Sequence, residues 1–145
     1  AEAEHRLAET LRPCLRRAHQ RSVTVCLEPL ARRETDLINT AEEAVAFIRR
    51  LGHPNLRLTL DVKAMSDEGR PIPEIIRHSA EFLGHVHVND ASGSAPGSGA
   101  VEFGPIISAL REAGYDGWLS VELFDSPPDP EAAARASISC LRRFL

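Results

Sequence analysis

The sequence predicts an α/β architecture of four parallel β-strands alternating with helices, preceded by one helix, which together make half of a (β/α)8 barrel. Three observations predict it. Four short segments alternate apolar and polar residues at period two, and each is followed by a stretch with helical periodicity; strands and helices alternating at this spacing imply a parallel sheet. Each of the four strands keeps one apolar and one mixed face. An open sheet covered on both sides has two apolar faces, whereas a small barrel turns one face into an interior that holds polar groups near its mouth. A complete barrel takes about 250 residues, roughly thirty per unit, so 145 residues supply about half of one.

Taken in order, residues 1–20 form a helical pattern with Leu7, Leu11, Cys14, Leu15 and Ala18 on one stripe, in which Pro13 is expected to kink or split the helix. In the first strand, Ser22 to Glu28, Val23, Val25 and Leu27 alternate with Thr24, Cys26 and Glu28, and Pro29 ends the ladder. A helix follows with Thr40 as N-cap and Glu43 completing a capping box, and Gly52 and Pro54 stop it. The second strand, Leu56 to Val62, sets Leu56, Leu58 and Leu60 against Arg57, Thr59 and Asp61. A helix from about Pro73 to Phe82 leads to Leu83-Gly-His-Val-His-Val-Asn-Asp90, a strand with His85, His87 and Asn89 on one face and Val86 and Val88 on the other. After the glycine-rich Ser92 to Gly99, a helix runs from Phe103 to Ala113, with Gly114 as its C-cap. The fourth strand, Trp118 to Phe124, puts Leu119, Val121 and Leu123 opposite Ser120, Glu122 and Phe124. The last helix starts near Asp129-Pro130, with Ile138, Leu141 and Phe144 expected inside.

With 43% hydrophobic and 26% charged residues the chain has the profile of a globular protein. Its net charge of -4 and its lack of lysine or arginine runs argue against nucleic acid and against an anionic membrane surface. No apolar run reaches membrane-spanning length, and the opening Ala-Glu-Ala-Glu-His-Arg is too charged for a secretory signal. Cys14, Cys26 and Cys140 are odd in number and far apart, which argues against a disulfide framework and fits a reducing cytoplasm. A chain that opens without methionine inside a helical pattern reads as part of something longer.

Glu28, Asp61, His87 and Glu122 recur at about the length of one strand-helix unit, each at the carboxyl end of a strand on its mixed face. Those ends converge on one mouth of a barrel. Three carboxylates crowded there repel one another unless a cation sits among them. Three oxygen donors and an imidazole suit Mn²⁺, Mg²⁺, Co²⁺ or Zn²⁺. Any one of these acids alone reads as a solvated strand end; four groups in register favour the metal.

In this order, Leu27-Glu-Pro29, Glu34-Thr-Asp-Leu-Ile-Asn-Thr-Ala41, Leu60-Asp61, His85-Val-His87, Pro96-Gly-Ser-Gly99, Ala113-Gly-Tyr-Asp-Gly117 and Val121-Glu122 resemble the sugar phosphate isomerase/epimerase family of xylose isomerase-like TIM barrels, in particular the ketose 3-epimerases. The resemblance implies the C-terminal half of such a barrel, with residues 1–145 as a single domain carrying the equivalents of strands 5–8. It places the family's metal ligands on Glu28, Asp61, His87 and Glu122. It implies a sugar substrate, an enediolate, and proton transfer by Glu28 and Glu122 from opposite sides of the reacting carbon.

The same resemblance suggests Glu34 as a contact to a substrate hydroxyl, although a loop carboxylate at this spacing also reads as solvated. Two positions depart from the family: Ala64 stands where a histidine is usual, and Gly93 where an arginine is usual. Lys63 then reads either as a replacement substrate contact or as a surface charge, and His85 either as a group orienting ligand or substrate or as a hydrogen-bonded interior histidine. The reaction is left between an isomerase or epimerase and a lyase of the inosose dehydratase type. A non-catalytic fragment is the third reading: half a barrel has two raw strand edges, to be covered by a missing N-terminal half or by a second copy in a homodimer.

Overall fold

The computed structural model describes residues 2–124 and 126–145. Its elements are α1 (Glu2–Gln20), β1 (Val25–Leu27), α2 (Ala41–Leu51), β2 (Leu56–Asp61), α3 (Val62–Ser66), α4 (Ile72–Ser79) with a 3₁₀ turn (Ala80–Phe82), β3 (Leu83–Val88), α5 (Phe103–Glu112), β4 (Leu119–Val121) and α6 (Pro130–Leu141). The strands are all parallel and lie in the spatial order β1-β2-β3-β4. A doubly wound sheet reverses its order at a switch point. Strands added always to the same side by right-handed crossovers instead put their helices on one face, so the order is that of a barrel wall.

The faces follow from burial. Leu56, Leu58 and Leu60 of β2 and Val86 and Val88 of β3 are at most 2% exposed and belong to one core cluster with Phe47 and Ile48 of α2, Ile75 and Ile76 of α4, and Ile106 and Ile107 of α5. Burying each such leucine is worth about 1.5–3 kcal/mol. A slip of one residue in β2 would expose three of them, so the apolar set decides which side of the strand meets the helices. The opposite face is thereby committed to the interior. Register sets its side chains in rows, with Cys26 beside Arg57, Thr59 beside His85, and Asp61 beside His87 beside Ser120. Gly84 on this face admits a close approach: a Cβ there would lie 2.6 Å from Arg57 Cβ and 2.9 Å from Cys26 Sγ.

Several expectations are corrected. The first and fourth strands are three residues each, shorter than read from the sequence, because among the described residues each pairs on one side only. For the same reason Val121 is 37% exposed. Pro13 does not break α1, which runs uninterrupted; the residue is on the exposed side, where water can meet the carbonyl its missing N–H leaves free. Cys14 is exposed, and Leu15 and Ala18 carry that stripe. Ile138 is 48% exposed whereas Leu141 is buried. Gly114 adopts φ 69° one residue beyond the α5 cap, Ala113. Val62 opens α3, an element the alternation pattern concealed. The capping box of Thr40 and Glu43 is present, and Gly52 closes α2 in the left-handed region.

Candidate metal centre

The four predicted ligands come together. Glu28 directly follows β1, Asp61 ends β2, His87 is the penultimate residue of β3 and Glu122 directly follows β4. Each offers one ligand atom, and the four atoms all lie within 4.8 Å of one another. His87 Nδ1 is 3.2 Å from Glu28 Oε1 and 3.0 Å from Glu122 Oε2, so the two outer strands send their glutamates to one imidazole nitrogen. Asp61 is 2% exposed. It caps α3, with Oδ1 accepting the Ala64 N–H at 2.8 Å, while Oδ2 accepts from Asn89 Nδ2 at 2.7 Å.

A nitrogen can share one proton at most, so three carboxylates and Nδ1 at these separations hold more acceptors than protons. Ligand atoms at about 2.1 Å from a central divalent ion stand about 3.0 Å apart when adjacent and about 4.2 Å apart when opposite. The contacts at 3.0 and 3.2 Å match the adjacent case, and the full spread is close to the opposite one. The donor set therefore fits a hard or borderline divalent cation. Burial, first of all, pushes the Glu28 carboxyl above its usual range; His87 pulls it back, and the neighbouring Glu122 and Asp61 charges add to the rise.

The three predicted substrate contacts divide differently. Lys63 is not a surface charge. It is 4% exposed, its Nζ bonds Glu34 Oε1 at 2.9 Å, and it lies 3.9 Å from the centre of the Phe124 ring. Glu34 is thereby paired rather than merely solvated, its other oxygen accepting the Ala31 N–H at 3.1 Å. That hydrogen bond from Lys63 chiefly holds its carboxyl below the usual range. His85 stacks edge-on against His87, ring centres 5.0 Å apart, and faces an open interior crevice of about 450 Å³ with Cys26, Arg57 and Thr59. Burial lowers its affinity for a proton, and His87 adds to that.

Sequence reasoning missed two participants. Asn89 was seen only as a polar residue on the histidine face; it is fully buried and joins Asp61 to the Lys63 backbone, donating to the first and accepting the Lys63 N–H at 2.8 Å. Phe124 packs over Lys63 and against Gly93, whose φ is 84° and where an added Cβ would lie 3.0 Å from the ring. The glycine that replaces the expected arginine thus makes room for the ring that covers the lysine.

Residues 1–144 match the family described as the xylose isomerase-like TIM barrel. The chain belongs to that family. Within it, the chain is 36% identical over 119 residues to the D-psicose 3-epimerase of Ruminiclostridium cellulolyticum, a stretch covering 82% of this chain and 41% of that enzyme. The structure superposes on the apo 3-keto-D-glucoside 4-epimerase of E. coli with a TM-score of 0.90 at 28% identity, covering 97% of this chain and 53% of that one. It superposes on the D-psicose 3-epimerase of Clostridium cellulolyticum with D-tagatose with a TM-score of 0.89 at 28% identity, covering 98% and 56%. The chain thus spans between about a third and a half of the length of the curated relatives it matches. Among its described residues no helix is long and apolar enough to cross a membrane.

Proposed function

We propose that this chain carries the metal-holding half of a carbohydrate isomerase or epimerase whose substrate is a ketose or a sugar acid. The single observation behind the reading is the meeting of Glu28, Asp61, His87 and Glu122 within 4.8 Å, at the carboxyl ends of four successive parallel strands. Relatives named as ketose 3-epimerases and as a 3-keto-D-glucoside 4-epimerase support the substrate class. The remaining wall of the barrel comes, on this reading, from a preceding half of the polypeptide, with residues 1–145 standing for strands 5–8.

Glu28, Asp61, His87 and Glu122 would hold Mn²⁺, Mg²⁺, Co²⁺ or Zn²⁺. Such an ion, when bound, would polarise a substrate carbonyl and stabilise the negative charge that develops as a neighbouring C–H proton leaves. Glu28 and Glu122 reach the site from the two outermost strands, so one can take the proton and the other can return it to the opposite face of the carbon. Asp61, buried and doubly hydrogen-bonded, is fixed as an ion ligand and is not free to shuttle protons. His87 supplies the nitrogen donor. Glu34, the more exposed partner of the Lys63 pair, would contact a substrate hydroxyl, and His85, packed edge-on against His87, would orient that ligand or the substrate.

The test is exchange of a substrate C–H proton with deuterated water, followed by NMR over a panel of ketoses and sugar acids, with and without Mn²⁺ in the full-length protein. Metal-dependent exchange that falls at least a hundredfold in Glu28→Gln and in Glu122→Gln is the expected result. No exchange on any substrate sinks the reading. The changes at Ala64 and Gly93 remove side chains expected to bind substrate and keep the dehydratase alternative in the same experiment: a product absorbing as a conjugated carbonyl identifies a lyase.

A further inference from the structure

We propose that Asn89 is the positioning residue that aims the Asp61 carboxylate into the four-donor site. The inference deepens the metal reading and rests on it for the point at which Asp61 is aimed. Three observations carry it. Asn89 is completely buried, so its amide needs partners inside the protein. Both ends of its side chain are used, by groups on two different elements. The orientation of the amide is also forced: the Lys63 N–H can only donate, so the oxygen must face it and the NH₂ must face Asp61 Oδ2.

Asp61 is therefore gripped from two directions. The Ala64 N–H holds Oδ1 at 2.8 Å and the Asn89 amide holds Oδ2 at 2.7 Å. Two donors on the two oxygens stop rotation of the carboxylate about its terminal bond, and each oxygen keeps a lone pair for an ion within reach of the other three donors. The Lys63 N–H braces the amide from behind, so the orientation does not depend on an exposed side chain. Because Lys63 also carries the ion pair with Glu34, the same amide ties that pair to the donor cluster through one short stretch of backbone.

The experiment uses the full-length protein with Asn89→Leu, which keeps the size and removes both hydrogen bonds, and with Asn89→Ser, which removes the reach to Asp61 with less steric demand. Crystal structures of the metal-free variants read the Asp61 orientation, and calorimetric titration with Mn²⁺ reads affinity. The expected result is a rotated Asp61 carboxylate and Mn²⁺ binding weakened 10- to 100-fold, the range typical for groups that orient metal ligands. An unmoved Asp61 overturns the proposal, as does Mn²⁺ affinity within twofold of the parent. Failure of both variants to fold also overturns it, since the amide is then a general support of the fold. A parent protein that binds no Mn²⁺ sinks the metal reading instead, while the metal-free structures still decide whether Asn89 sets Asp61.

Discussion

Lys63 Nζ lies 2.9 Å from Glu34 Oε1, and this pair joins α3 to the loop between β1 and α2. The lysine side chain is 5% exposed and the glutamate side chain 29%, so the two charges are unequally screened. Replacing Glu34 with Gln leaves the lysine buried without a counter-charge. Because Glu34 is partly solvated, the loss should fall below the 3–5 kcal/mol typical of a fully buried pair, at about 2 kcal/mol. Urea unfolding of Glu34→Gln measures it, and an unchanged midpoint contradicts the prediction. Lys63→Met, which removes the charge and keeps the volume, should cost less.

The same pair makes stability depend on acid. The Glu34 carboxyl is held below its ordinary value, mainly by the Lys63 hydrogen bond. A lowered folded-state value means that the contribution is complete above the unfolded carboxyl's range, near pH 4.5, and is lost as pH falls through the lower folded value. The difference in unfolding free energy between parent and Glu34→Gln should therefore shrink across that acid window and stay constant from pH 6 to 8. A difference that does not change with acid would detach Glu34 from the lysine.

Crowded acids should make the centre costly to the metal-free fold. Glu28→Gln removes one of three neighbouring carboxylates and a group whose charged form burial disfavours. It should raise metal-free stability by up to about 1 kcal/mol, a modest figure because the side chain is partly exposed and screened. The same change should reduce the stabilisation that added Mn²⁺ confers. Thermal melts with and without Mn²⁺ check both signs. A variant destabilised in both conditions would mark Glu28 as a structural residue.

Gly84 lies where neighbouring strands meet on the inner face. Gly84→Ala would put a methyl 2.6 Å from Arg57 Cβ, against backbone-anchored atoms that cannot swing away. The expected cost is about 1–3 kcal/mol, the usual range for overpacking. Denaturant unfolding that matches the parent would show the strands can part.

Gly93→Arg restores the residue usual in the family but should not restore its contact. The position has φ 84° and its Cβ would press on Phe124 at 3.0 Å, so the arginine adds backbone strain and displaces the ring from Lys63. A loss of about 1–3 kcal/mol is expected. Combining it with Phe124→Ala should recover part of that loss, measured as a double-mutant cycle; strict additivity would contradict the contact.

Much of this was legible in the chain itself. Period-two alternation in Leu56 to Asp61 identified the leucine face, because burying three leucines outweighs local preference, and with that face assigned the inward direction of Asp61 followed. The same logic placed Glu28, His87 and Glu122 at strand ends, and Thr40 with Glu43 marked a helix start whose hydrogen bonds are local. What a linear sequence cannot state is distance between segments. Only the tertiary structure decided that four side chains from separate strands meet within 4.8 Å, that Lys63 is buried against Glu34 and Phe124, and that Asn89 reaches Asp61 across 28 positions of chain. Short-range pattern sets which way a residue points. What it meets there is set by how parallel strands register and where their loops return, and those depend on contacts that no local window contains.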